Sequence, residues 1–385
     1  MLAAITNASS FIRFCTRFTD EIFALLISAI FIYEALKNVL AVFSDESVSD
    51  HSALMSLVLA LLTFYVALSL RNMRASRYLR HRVREFLSDF GSVIAIGIAT
   101  YIAVFLHEGG LPSLSIPATF TTTSGRPWII DIFSIPTWVI LASAVPALLC
   151  TVLVYLDQNI TSRLINQSSH KLKKGAAYHQ DMLVVGLLIG AFSVFGLPWL
   201  VAATVRSLNH LRALAHVDET LLPDGTRRTI ITSVQENRLT GLAIHLLIGA
   251  SILVLPIMTR SGIEIPMAVL FGLFLYMGAT SLGGNQLFDR LKLWMMDPEL
   301  YPRTHYVRKV SPAKLHLFTA IQLAGLVVLW IVKTSSLAML FPLFIALLVP
   351  LRLVLNKFFD AKDLAALDSE EDADEETLQE SRKLV

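Results

Sequence analysis

Long apolar runs separated by polar loops dominate this chain and restrict its fold more than any other feature. A helix needs about 20 mainly apolar residues to cross the hydrocarbon core of a bilayer. Runs of that kind lie at about 21–43, 53–70, 90–107, 136–157, 181–196, 240–258, 264–282, 315–333 and 337–355. Within lipid, every backbone polar group must find its partner inside the protein, so such spans fold as helices. The expected class is therefore an all-α polytopic membrane protein. Charge agrees with it: 16% of the 385 residues are charged, against about 25% in soluble domains.

The small net charge of +2 hides a segregation along the chain. Arg71, Arg74, Arg77, Arg80, Arg82 and Arg84 follow the second run, and Arg163, Lys171, Lys173 and Lys174 follow the fourth. Arg290, Lys292, Arg303, Arg308, Lys309 and Lys314 lie between the seventh and the eighth. The intervening loops are poor in positive charge: 44–52 is acidic, and 108–135 holds a single basic residue, Arg126. Basic loops stay in the cytoplasm. That orientation is consistent along the chain if 198–211, too short and too broken to span, makes one re-entrant or half-length crossing. The acidic stretch Asp368–Glu376 then falls in the cytoplasm. The Pro-, Ser-, Thr- and Gly-rich loop 108–135 divides the chain, and Pro223-Asp-Gly225 reads as a turn inside the polar insert 215–238. Beyond about residue 358 the tail reads as flexible or weakly helical. Cys15 and Cys150 read as unpaired thiols packed like small hydrophobes.

The stretch Gly196-Leu-Pro-Trp-Leu-Val-Ala-Ala-Thr-Val-Arg206 interrupts this pattern. Proline suits the first turn of a helix, where its missing N–H costs nothing. The stretch reads as the start of a half-helix whose exposed N–H groups and cationic side chain hold an anion at membrane depth. Val201, Ala202, Ala203 and Thr204 would let a planar anion approach the backbone, and Arg206 would grip it bidentately. The competing reading is a snorkelling cytoplasmic arginine after a proline kink. Asp157 closes the fourth apolar run, with Thr161 one helical turn on and on the same face. A carboxylate near the membrane is a functional candidate by default. With the Thr161 hydroxyl it offers hard oxygen ligands for Na⁺, or a carboxylate that carries a proton. The alternative is a solvated carboxylate at a helix end. No catalytic signature stands beside these residues. There is no Gly-x-Ser-x-Gly, phosphate loop or Cys-x-x-Cys, and His170, His179, His210, His216 and His245 lack metal-ligand spacing. No enzyme activity, cofactor, resident metal or nucleic-acid partner is expected.

Several motifs in order give the chain a family likeness. Thr16-Arg-Phe-Thr-Asp-Glu21, Phe31-Ile-Tyr-Glu34, Leu156-Asp-Gln-Asn-Ile-Thr161, His170-Lys-Leu-Lys-Lys-Gly175, the Gly196–Arg206 stretch, Leu270-Phe-Gly-Leu-Phe-Leu-Tyr-Met-Gly278 and Phe288-Asp-Arg290 resemble the bicarbonate transporters. That family includes chloride/bicarbonate exchangers and sodium–bicarbonate cotransporters, with borate transporters more distant. The resemblance runs from about residue 5 to about residue 370. It implies fourteen helical segments in two inverted repeats, a core (transport) domain, a gate domain, and homodimers formed through the gate. On that mapping 1–107 holds gate helices at the end of the first repeat, and 108–135 is an extracellular loop. Residues 136–260 hold core helices of the second repeat, with the half-helix near 198–211. Residues 261–357 are its gate helices, and 358–385 form an acidic cytoplasmic tail. The first core helices are absent from the chain, so it resembles a piece of a longer protein.

The resemblance implies a function: alternating-access transport of bicarbonate or carbonate, exchanged for chloride or coupled to sodium, in the plasma membrane. It assigns Asp157 and Thr161 to the ion site. Aspartate at that position is usual in sodium-coupled members, whereas Arg206 matches the exchangers, so the two point to different coupling. Lys333 matches a lysine beside the outer vestibule and also suits a snorkelling anchor. Asn38, next to Lys37, falls where stilbene inhibitors act in exchangers. The acidic tail resembles a segment proposed to recruit carbonic anhydrase, and equally suits a solubilising role.

Overall fold

A computed structural model describes residues 16–106, 110–116, 122, 124–131, 134–221, 227–302 and 304–368. The described residues are mostly helical, in keeping with an all-α membrane protein. Among the described residues, six helical segments are long and apolar enough to cross a membrane, or up to eight when each of two bent helix pairs counts as one. The chain divides into two compact units. One contains residues 1–26, 124–236 and 285–385, and the other residues 27–123 and 237–284.

The second of these units contains most of α1 (Arg17–Ala41) and all of α2 (Asp50–Asn72), α3 (His81–Asp89) and α4 (Gly91–Phe105). It also contains α9 (Thr240–Arg260) and α10 (Met267–Ser281). Its core is built from small side chains. Leu59, Ala99, Ala103, Ala268 and Val269 are buried together, with Met55, Leu62, Ile96 and Ile265 packed around them. A Cβ on Gly272 would lie 2.3 Å from the Ala60 carbonyl oxygen, so α10 and α2 meet backbone to backbone. Small residues let membrane helices approach this closely. The basic segment after α2 folds into α3, which is bent by 65° from α4. α3 carries His81, Arg82 and Arg84 and is amphipathic, unlike the spans around it.

The other unit contains α5 (Thr137–Ala142), α6 (Ala144–Ile165), α7 (Tyr178–Val194) and α8 (Thr204–Leu214). A hairpin of β1 (Ala215–Leu221) and β2 (Arg227–Val234) follows, antiparallel, with Ala215 opposite Val234. This hairpin flanks the expected turn at Pro223-Asp-Gly225, which lies outside the described residues. Then come α11 (Gln286–Leu293), α12 (His305–Lys309), α13 (Pro312–Thr334), α14 (Phe341–Leu355) and α15 (Ala361–Asp368).

One local expectation is sharpened and another changes. The tail beyond about residue 358 reads as flexible or weakly helical, and its first part forms α15, which packs into this unit. Leu364, Ala366 and Leu367 are buried, and Asp368 accepts hydrogen bonds from the Phe18 N–H and from Arg352, each at 2.6 Å. Leu364 and Leu367, three residues apart, share a face of α15, which repays burial although the sequence beyond it is acidic. Residues 369–376 of the acidic stretch lie outside the described residues, as does Cys15, whereas Cys150 is a free, half-buried thiol.

The change concerns Pro198. It was read in the first turn of a half-helix, but the helix starts at Thr204. Gly196-Leu-Pro198 instead ends α7. Gly196 adopts φ +58, the Leu197 N–H donates to the Phe192 carbonyl at 2.8 Å, and the Gly196 N–H donates to the Ser193 carbonyl at 3.2 Å. This is the Schellman stop: a left-handed glycine closes the last turn, and a proline soon after prevents continuation. Residues 197–203 then run as an irregular connector into α8.

Candidate functional site

The connector and the first turn of α8 meet the C-terminal half of α6. There the apolar span gives way to Asp157-Gln-Asn-Ile-Thr-Ser162, and Gln158, Asn159, Thr161 and Ser162 are buried. Buried polar side chains in an apolar helix need partners, because an unmet donor or acceptor costs free energy. Most of these partners are local or on the connector. The Asn159 amide donates to the Tyr155 carbonyl at 2.8 Å. The Thr161 hydroxyl, 1% exposed, lies 2.6 Å from the Thr204 hydroxyl. Gln158 accepts from the Ala202 N–H at 3.0 Å and reaches the Ser162 hydroxyl at 3.4 Å. Side chains from α6 thus hold both the connector and the first residue of α8.

α8 begins without a side-chain cap. Ala203 stands at the N-cap, where Ser, Thr, Asp or Asn would accept from the first-turn N–H groups. Those N–H groups have no intrahelical partner by construction and carry the positive end of the helix dipole. The late start of the helix puts Arg206 in this first turn, whereas the sequence reading set it eight residues beyond the helix start. Arg206 is exposed, and among the described residues it has no hydrogen-bond or ion-pair partner. The half-buried Asp157 likewise has none, so the two do not form a salt bridge with each other. Val201, Ala202 and Thr204 are half-buried and Ala203 is exposed. An uncapped helix N-terminus, an open guanidinium and a hydroxyl pair form a set of donors suited to a small oxyanion.

The outlying candidates stand elsewhere. Lys333 is in the last turn of α13, its ammonium 5.4 Å from the centre of the Trp330 ring. Asn38 is on α1 and donates to the Glu34 carbonyl at 2.7 Å.

The profile of the HCO3- transporter integral membrane domain matches residues 1–52 and 45–372. The chain belongs to the bicarbonate transporter family. It is 38% identical to human band 3 anion transport protein over 395 residues, which is 96% of this chain and 43% of that protein. It is 37% identical to anion exchange protein 3 of Danio rerio over 406 residues, 97% of this chain and 34% of the relative. Identity to anion exchange protein 2 of Rattus norvegicus is 36% over 418 residues, 96% and 33% of the two chains. The chain thus spans well under half the length of these relatives. Its family is one of membrane transporters and not of enzymes.

Two further residues hold the candidate site's elements without having been singled out from sequence. Gln158 sits inside the Asp157–Thr161 motif, just past the end of the apolar run, and the Ala202 N–H that it engages lies far along the chain. Arg126 mattered in the sequence only as an isolated charge in the loop 108–135. In the fold its guanidinium donates to the Phe195 carbonyl at 3.1 Å and to the Gly196 carbonyl at 2.6 Å. Nothing local in the sequence announces a contact across some 70 residues.

Proposed function

We propose that the chain carries bicarbonate or carbonate across the plasma membrane in exchange for chloride. The anion lies against Val201, Ala202, Ala203, Thr204 and Arg206, with Asp157 and Thr161 on the facing helix. One observation above all supports this reading: the Thr161–Thr204 hydroxyl contact of 2.6 Å joins the ion-coupling helix to the uncapped start of α8. The anion exchange proteins among the relatives support the same chemistry.

In this mechanism Arg206 offers a planar fork to a planar anion, and the first-turn N–H groups replace part of its hydration shell. Asp157 tempers the positive charge, so that the anion is held weakly enough to leave. Core helices from 136–260 move against gate helices, exposing the site to each side in turn. Lys333 lies by the outer vestibule, the C-terminus is cytoplasmic, and pairs of chains associate through the gate. A second reading, sodium-coupled cotransport, draws on Asp157: a carboxylate with no partner among the described residues, one turn from a buried hydroxyl, offers hard oxygen ligands to Na⁺.

Flux in proteoliposomes loaded with a pH-sensitive dye separates these readings. Exchange predicts a bicarbonate-dependent pH change that requires chloride on the opposite side and ignores sodium. A requirement for sodium without chloride selects cotransport. No bicarbonate-dependent change under either gradient means that this chain does not transport by itself, as expected of a gate-domain piece.

A further inference from the structure

We infer that residues 126–130 clamp the connector between α7 and α8, and that Arg126 is a positioning residue for the anion site. The inference rests on the reading of α8 as the anion-binding helix. The irregular connector 197–203 sets where α8 begins, so whatever fixes its ends fixes the direction of the first-turn N–H groups and of Arg206.

The downstream end is held by α6, through Gln158 on the Ala202 N–H and Thr161 on Thr204. The upstream end is held by the loop. The last carbonyls of a helix have no intrahelical partner. Here the carbonyls of Val194 and Phe195 at the end of α7, and of Gly196 just beyond it, are each taken up by the segment 126–130. The Ile130 N–H donates to Val194 at 3.0 Å. The Arg126 guanidinium donates to Phe195 at 3.1 Å and to Gly196 at 2.6 Å, and also to its neighbour Pro127 at 3.3 Å. A cation at a helix C-terminus is favoured by the dipole, and charge-assisted bonds are stronger than neutral ones. The fit is close: a Cβ on Gly196 would lie 2.7 Å from the Arg126 Nη1 and 2.5 Å from the Ile130 Cδ1. The Trp199 indole N–H, donating to the Ser193 hydroxyl at 2.9 Å, folds the connector back on α7 from the other side.

A guanidinium can serve two carbonyls at once in a fixed fork, whereas an ammonium cannot reproduce that geometry. Arg126→Ala should therefore free the connector, and Arg126→Lys should free it partly. Hydrogen exchange of the full chain in nanodiscs reads this directly. In Arg126→Ala, amides of 197–206 should exchange roughly tenfold faster through local opening, with α6 unchanged and Arg126→Lys intermediate. Gly196→Ala, which pushes a methyl group into the clamp from the opposite side, should give the same pattern. Unchanged exchange over 197–206, or an equal rise throughout α6, overturns the inference. In flux assays at equal membrane levels, Arg126→Ala should raise the half-saturating anion concentration about tenfold, as misplacement of a binding group does. Arg206→Ala run in parallel keeps the two ideas separate. Normal transport in Arg206→Ala defeats the anion-site reading. Lost transport there, with Arg126→Ala like wild type in both exchange and half-saturation, defeats the clamp alone.

Discussion

Arg290 on α11 and Arg206 on α8 are both arginines on short helices of the same unit, and their surroundings differ at every point. Arg290 is 1% exposed and donates to the Gln322 side chain at 2.6 Å. Its guanidinium lies 5.6 Å from the Tyr306 ring centre and 5.4 Å from that of Phe318. Gln322 in turn donates to the Phe18 carbonyl at 3.2 Å, and the Phe18 N–H donates to Asp368, which also accepts from Arg352. Glu21 adds the Leu287 N–H at 3.2 Å and Arg17 at 2.9 Å. Here charges and amides answer one another and tie α1, α11, α13, α14 and α15 together. Arg206, by contrast, is exposed and has no hydrogen-bond or ion-pair partner among the described residues. A buried charge enclosed by the side chains of its own fold serves structure, although the Arg290 Nε has no hydrogen-bond partner among the described residues, and removing one member leaves the others unsatisfied. A charge held open beside an uncapped helix start is available to a ligand.

The contrast can be broken at several points. Arg290→Ala should have the largest effect on stability, about 3–5 kcal/mol, the range for removing one partner from a buried charged network. Thermal unfolding followed by size-exclusion chromatography would register it, and a wild-type transition would show that the network is not structural. Thr161→Val should leave that transition nearly in place and weaken anion transport about tenfold, since one hydrogen bond to the site is lost. Unaltered half-saturation in this variant would remove the hydroxyl pair from the site. The smallest effect belongs to Asp360, where a hydrogen bond from the Lys314 ammonium at 2.6 Å holds the carboxyl below its usual range. A depressed carboxyl stabilises the fold above its unfolded value, near 3.9, and loses that contribution as pH falls through the folded value. Because the pair is exposed, the acid sensitivity should be slight and weakened by salt. Asp360→Asn should abolish it, and an identical acid profile in wild type and variant would show that the pair contributes nothing.

Much of this was legible in the sequence, for reasons that differ along the chain. Span positions follow from the roughly 20 apolar residues a bilayer demands, and α2, α9 and α13 lie within a few residues of their expected ranges. The start of α8 differs from the sequence expectation because Gly196-Leu-Pro198 satisfies two rules at once. Proline favours a first turn, yet a glycine just before it favours a stop, and the apolar residues around both give no period to decide between them. The docking of α15 was hidden by the acidic run that follows it. Asp157, Thr161 and Arg206 stand out as candidates in the sequence because charged residues are rare in and beside spans. Gln158 and Arg126 stand out less, because the backbone group that each engages lies far along the chain.

The most direct test of the central claim is anion flux through Arg206→Ala, normalised to folded protein in the membrane and compared with its own thermal transition. The account predicts a wild-type transition with bicarbonate and chloride flux abolished or nearly so. Normal flux in that variant, or a loss of flux that merely follows a loss of folded protein, would contradict it.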